Sequence, residues 1–181
     1  MHSALILSID RRHSIADADE VVSLAVKYRS RGVVGVDLCG NPAVGPIDKF
    51  GPAFARAKEA GLKITLHFGE APASSSDAEL QTLLSWQPDR LGHVIHVKDH
   101  FKDEIVKQRV AVELCLSCNV HAKMITGSFG EHHFGWWRNA GVGVALSVSL
   151  YRVLGHEIEA DQSFRRMMWA FFAVRCRTSI T

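Results

Sequence analysis

The chain has little of what would mark a secreted, membrane-bound or nucleic-acid-binding protein. Cysteine is sparse: four in 181 residues, at positions 39, 115, 118 and 176. That is too few, in too long a chain, for a disulfide framework, and it points to a reducing, cytoplasmic setting. Charge of neither sign accumulates. The formal net charge is +2 and Lys and Arg are scattered, so no basic stripe offers itself to a nucleic acid. Long apolar runs are also missing. The run at residues 4–9 is too short for a signal-peptide core and lacks a basic leader. The stretch MMWAFFAV at residues 167–174 falls well short of the roughly 20 residues that span a bilayer. No Walker A motif, no G-x-G-x-x-G after a strand and no nucleophile elbow occur, which argues against phosphate-loop, dinucleotide and serine-hydrolase chemistry. The expected partner is a small molecule, with no nucleic acid and no membrane involved; nothing indicates an oligomeric state.

What is present is an ordinary globular composition, 47% hydrophobic and 22% charged, in a chain long enough to bury a core of its own. Six β-competent apolar runs fall at residues 5–9, 33–38, 64–68, 91–95, 110–116 and 142–148. Continuous apolar runs of this kind belong to strands covered on both faces, as in parallel sheets. Helical patterns lie between them at 15–28, 52–60, 77–84 and 99–108, giving a βαβα alternation. The residues suited to chemistry follow the C-terminal ends of the strands, as they do in a TIM barrel or an open doubly wound sheet. A closed barrel needs eight strands and typically about 250 residues. The expected fold is therefore α/β, an incomplete TIM (β/α) barrel of about six strands over residues 1–146. Residues 147–181 lose the βα rhythm and form a divergent C-terminal segment.

The segment ITLHFGE at 64–70 is the most informative. On a strand ending at Phe68, His67 reaches the rim, and Gly69 permits a tight turn that brings Glu70 over the same pocket. Imidazole ligates zinc, and a carboxylate beside it shuttles protons. The alternative is a core histidine followed by a helix-capping glutamate. His93, in PDRLGHVIH, stands at the next strand end, where an imidazole that titrates near neutrality orients or deprotonates a metal-activated water; the alternative is a surface histidine like His96 and His100. In GVDLCGNP, Gly40 leaves room for a flat ring or simply makes a turn after Asp37. Asn119 and Ser117 carry a weaker signal, and Glu113 reads as a strand residue paired inside the barrel. Cys115 and Cys118 form one CxxC with no second pair, a poor metal site. His132 and His133 read as packing or surface residues.

Six segments, LILSIDRR, VVGVDLCGNP, GLKITLHFGE, PDRLGHVIH, VELCLSCNV and HHFGWW, occur in this order over residues 4–146. Together they resemble the adenosine deaminase superfamily, and most closely the adenosine deaminase-like proteins that act as N6-methyl-AMP deaminases. The resemblance implies a zinc-bearing TIM barrel of the metal-dependent hydrolase type, in which water displaces ammonia or methylamine from purine C6. It implies His67 as a zinc ligand, Glu70 as proton donor, His93 as the residue that activates the water, and Gly40 as a purine contact. The substrate would be N6-methyl-AMP, AMP or adenosine; Arg11 and Arg12 either face a phosphate or make structural ion pairs.

Two departures qualify this. The family's first strand carries His-x-His, two zinc ligands, and no such motif precedes Leu5. The strand after the HHF segment ends in an Asp pair in the family, but here GVGVALSVSL puts Val148 and Ser149 about where the acids belong. The expectation is a truncated, divergent member: a zinc-dependent purine aminohydrolase recruiting further ligands from His132, His133 or another subunit, or else a non-catalytic fragment. One remaining zinc ligand weighs against activity of this chain alone.

Overall fold

A computed structural model describes residues 3–147. The stretch at 167–174, the end of the last expected strand, Val148 and Ser149 all lie outside the described residues.

Six parallel strands pair in chain order: β1 (Leu5–Asp10), β2 (Val33–Cys39), β3 (Lys63–Phe68), β4 (Arg90–His93), β5 (Ala111–Leu114) and β6 (Val144–Leu146). Four helices carry the crossovers: α1 (Ile15–Lys27), α2 (Gly51–Glu59), α3 (Asp77–Ser85) and α4 (Asp99–Gln108). Two short helices, α5 (Leu116–His121) and α6 (Phe134–Asn139), link β5 to β6. Among the described residues β1 and β6 each have one neighbour. The fold is thus an open six-stranded arc of a (β/α) barrel, as the strand count in the sequence leads one to expect.

Local sequence explains the helices. Ser14 caps α1 in a capping box with Asp17, and Ser76 accepts from the Glu79 N–H at the start of α3. Each helix then buries residues spaced three and four apart: Ala18, Val22 and Ala25 on α1, Leu80, Leu83 and Leu84 on α3, Phe101 and Ile105 on α4. These meet Val36, Leu38, Ile64, Leu66, Phe68, Leu91, Val112 and Leu114 of the sheet in one core. Phe54 of α2 stacks on Trp86 at 4.8 Å. Full burial of each large apolar side chain contributes about 1.5–3 kcal/mol.

The alternate positions behave differently. Asp37, Thr65, His67, Arg90 and Glu113 line a small cavity on the other face of the sheet. The strands are thus covered on both faces, as their apolar runs lead one to expect, but the second face is lined by buried polar residues. Register brings the polar set together: Asp37 lies opposite Thr65, and Thr65 opposite Arg90. Two strands, β4 and β5, also stop earlier than their apolar runs. At β4 the backbone turns left-handed at His93 (φ +65°) and at the β-branched Val94 (φ +46°), a conformation that side-chained residues hold only where surrounding contacts impose it. The run at 110–116 breaks at Leu114, where Cys115 begins the turn into α5.

Candidate active site

The loops after β3 and β4 are fastened to each other by backbone hydrogen bonds. Val94 N–H donates to Phe68 O at 3.0 Å, and His96 N–H to Gly69 O at 2.8 Å. Gly69 has φ +55°, and a Cβ there would meet Val97 Cγ2 at 3.0 Å and His96 O at 3.1 Å. Only glycine allows both the turn and the close passage of the neighbouring loop. The result is that Glu70 returns over the strand ends, with Oε1 3.6 Å from His93 Nε2. The rings of His67 and His93 are 5.2 Å apart. His67, Glu70 and His93 thus offer ligand atoms that all lie within 4.8 Å of one another.

Each histidine is held from behind. His67 Nδ1 sits between the two carboxylate oxygens of Asp37, 3.3 Å from Oδ1 and 3.2 Å from Oδ2. Burial opposes a charged His67, but the Asp37 charge and hydrogen bond, reinforced by Glu70 and Glu113, outweigh it and raise the pKa to about 9. His93 is pushed the other way, by its own burial first and then by the positive charge on His67. Its Nδ1 contacts the side-chain amide of the fully buried Asn119, which also contacts His132 Nε2; both separations are 3.1 Å. His133 Nε2 donates to the His93 carbonyl at 2.7 Å. Burial and the neighbouring His133 lower the His132 pKa to about 4.

Below the rim, Arg90 of β4 and Glu113 of β5 form an ion pair at 2.7 Å, so Glu113 is the paired interior residue that the sequence suggests. The cavity on this face has room for about one water, about 10 Å³. A ring-sized ligand would have to lie above His67 and Glu70.

The donors suit a divalent metal in kind. Two imidazoles and a carboxylate converge, and a carboxylate behind one imidazole is the usual support of a metal-ligating histidine. In number they are few: among the described residues this is the one cluster of three such donors. His132 and His133 do not add to it. Both His132 nitrogens are engaged, Nδ1 by the Phe134 N–H at 2.9 Å and Nε2 by Asn119, and His133 is turned to the His93 carbonyl. Cys115 lies against Ser147 at 2.7 Å, and burial pushes its thiol up to about 11, away from the thiolate that a metal needs.

The other residues singled out from sequence fall elsewhere. Gly40 follows β2 with φ +101°, and a Cβ there would meet the Asp10 carboxylate at 2.6 Å, which accounts for glycine without a ligand. Arg11 is buried in an ion pair with Glu79 at 2.6 Å, and Arg12 pairs with Asp10 at 2.6 Å. Asp37, Asn119 and His132, which the sequence offers only as a turn residue, a weaker candidate and a packing residue or spare ligand, are the supporting residues. For Asp37 the signal was strand periodicity, which puts it on the face shared by Thr65 and His67. Asn119 and His132 come together only in the folded chain.

Comparison with known proteins identifies the family. The adenosine deaminase family profile matches residues 1–171. N6-mAMP deaminase of Arabidopsis thaliana is 44% identical over 136 residues, 75% of this chain and 37% of the relative. The crystal structure of that Arabidopsis enzyme superposes with a TM-score of 0.76 at 41% identity, over 82% of this chain and 43% of the other. Arabidopsis ADAL complexed with IMP gives 0.73 at 42% identity, over 78% and 40%. The chain thus spans about two-fifths of the length of the relatives it matches. On its sequence and its parallel arc of strands, this chain belongs to the adenosine deaminase family.

Proposed function

We propose that this chain carries part of a zinc-dependent purine aminohydrolase site acting at C6 of N6-methyl-AMP, AMP or adenosine. The observation that carries the reading is the convergence of His67, Glu70 and His93 within 4.8 Å. Zinc bound at His67 would supply a Lewis acid that makes water nucleophilic near neutral pH. The chain's own residues then have distinct tasks. Asp37 fixes the His67 ring. Glu70 moves a proton to the purine ring as water adds to C6, and His93, beside Glu70, positions that water. Gly40 is assigned a backbone contact with the purine, the space beside its Cα being filled by the Asp10 carboxylate. The C6–N6 bond breaks, ammonia or methylamine leaves with a proton, and oxygen stays on the ring. A relative's complex with IMP, a 6-oxopurine monophosphate, fits the product of such a reaction.

A catalytic zinc takes three protein ligands and a water. Committing all three clustered donors to metal would leave no group to handle protons. We therefore assign His67 to zinc, Glu70 and His93 to proton handling and water, and the remaining ligands to another subunit. The shortage of donors favours a second reading, a non-catalytic member that keeps the fold without turnover. Elemental analysis of the purified chain, with amine release measured on the three substrates, decides between them. Bound zinc with turnover supports the first reading; neither metal nor turnover overturns it.

A further inference from the structure

We propose that Asn119 and His132 set the tautomer of His93 and present it to the rim as an Nε2–H hydrogen-bond donor. The inference rests on the deaminase reading of the rim and refines what His93 does there. It begins with a group whose role is fixed. The Phe134 backbone N–H can only donate, and it lies 2.9 Å from His132 Nδ1, so Nδ1 is an acceptor and carries no proton. An imidazole must then hold its proton on the other nitrogen. His132 Nε2 is therefore an N–H.

That N–H is 3.1 Å from the Asn119 amide. An amide with nitrogen towards His132 would set two N–H groups against each other, whereas the amide turned through half a rotation accepts with Oδ1. In the structure Asn119 Oδ1 faces His93 Nδ1 and Nδ2 faces His132 Nε2, each at 3.1 Å; a half-turn of the amide, whose oxygen and nitrogen are nearly the same size, exchanges the two and sets Nδ2 against His93 Nδ1. Asn119 then donates to His93 Nδ1, which is the acceptor. The His93 proton resides on Nε2, the atom 3.6 Å from Glu70 Oε1. Asn119 and His132 are both fully or nearly fully buried, so water does not compete for these atoms and a misplaced donor would be left without a partner.

The chemical consequence is specific. With Nε2 protonated, His93 offers no lone pair at the rim. It orients an oxygen by donating to it and does not take a proton from water there. Glu70 is then the one carboxylate of the three-residue cluster able to accept that proton, and Asn119 and His132 are positioning residues acting through His93.

The test is two-bond proton–nitrogen correlation NMR of the histidine side chains in the uniformly nitrogen-15-labelled full chain near neutral pH. The expected result is a His93 signal with protonated Nε2 and bare Nδ1. Asn119→Asp replaces the donor with a group that only accepts, so the proton should move to His93 Nδ1 and the Nδ1 resonance should shift from bare to protonated. His132→Phe frees the amide and should leave His93 as a mixture of tautomers. A wild-type His93 protonated on Nδ1, or an unchanged His93 pattern in Asn119→Asp, overturns the proposal. The wild-type spectrum needs no variant to fold. Turnover measured on the same sample separates the two readings: an Nε2–H tautomer without turnover fails the deaminase assignment alone, and turnover with an Nδ1–H tautomer fails this proposal alone.

Discussion

His67 and Asp37 come from adjacent strands, and the imidazole Nδ1 lies 3.2 Å from one carboxylate oxygen and 3.3 Å from the other. This contact joins fold and site. Asp37 faces Thr65 in register, so its side chain is diagonal to His67 on the polar face of the sheet, and its charge keeps a largely buried imidazole protonated.

Stability of the metal-free chain should therefore depend on pH through His67. Its folded pKa, about 9, is above the ordinary 6.5, so the folded state holds the proton more tightly. The resulting stabilisation is complete below pH 6.5 and is lost as pH rises towards and past 9. Denaturant titrations across this window should show a falling midpoint. In Asp37→Asn that fall should largely disappear, and an NMR titration should find His67 protonating at much lower pH.

Removing one partner of the Arg90–Glu113 pair should be costly, because Glu113 is only 5% exposed in its side chain. Arg90→Met alone should cost about 3 kcal/mol, the low end for breaking a buried pair, since Arg90 keeps some access to water. Arg90→Met with Glu113→Leu should recover much of that loss. A double-mutant cycle by chemical denaturation measures it, and additive losses would mean that the pair is not coupled.

Glu70→Gln and His67→Ala should separate proton transfer from metal binding. Glu70→Gln keeps the size of the side chain and should lower kcat by about 10²–10⁴, the usual contribution of a general acid or base, with zinc content unchanged. His67→Ala should lose zinc itself. Metal content and amine release on the same preparations distinguish the two, and equal zinc loss in both variants would make Glu70 a ligand.

At Gly40, alanine meets both a backbone with φ +101° and the Asp10 carboxylate 2.6 Å from its Cβ. Gly40→Ala should destabilise the fold by about 1–3 kcal/mol. Adding Asp10→Ser should relieve the clash but leave the backbone strain, a partial recovery visible in thermal melts. Full recovery would assign the whole cost to the carboxylate.

Much of the frame is legible in the sequence because it rests on local rules. Ser14 and Asp17 specify a helix start, and Ala18, Val22 and Ala25 specify its buried face, with no knowledge of partners. The alternation of strands and helices implies a parallel sheet with its chemistry at one rim, and His67, Glu70 and His93 were found as strand-end residues. The strand ends were less legible. An apolar run shows where a strand is able to continue, whereas β4 stops where loop contacts hold His93 and Val94 left-handed.

The six strands in order and the strand-end position of the rim residues follow from local rules, because periodicity, caps and turn glycines act over a few residues, and the family follows from six segments in order. The tertiary structure decided what stands behind those residues. Asp37 reaches His67 through strand register, and Asn119 and His132 reach His93 across 26 and 39 positions of chain. The charge of one histidine and the proton position of the other depend on distances that exist only after folding, in a buried setting where each polar atom must find a partner.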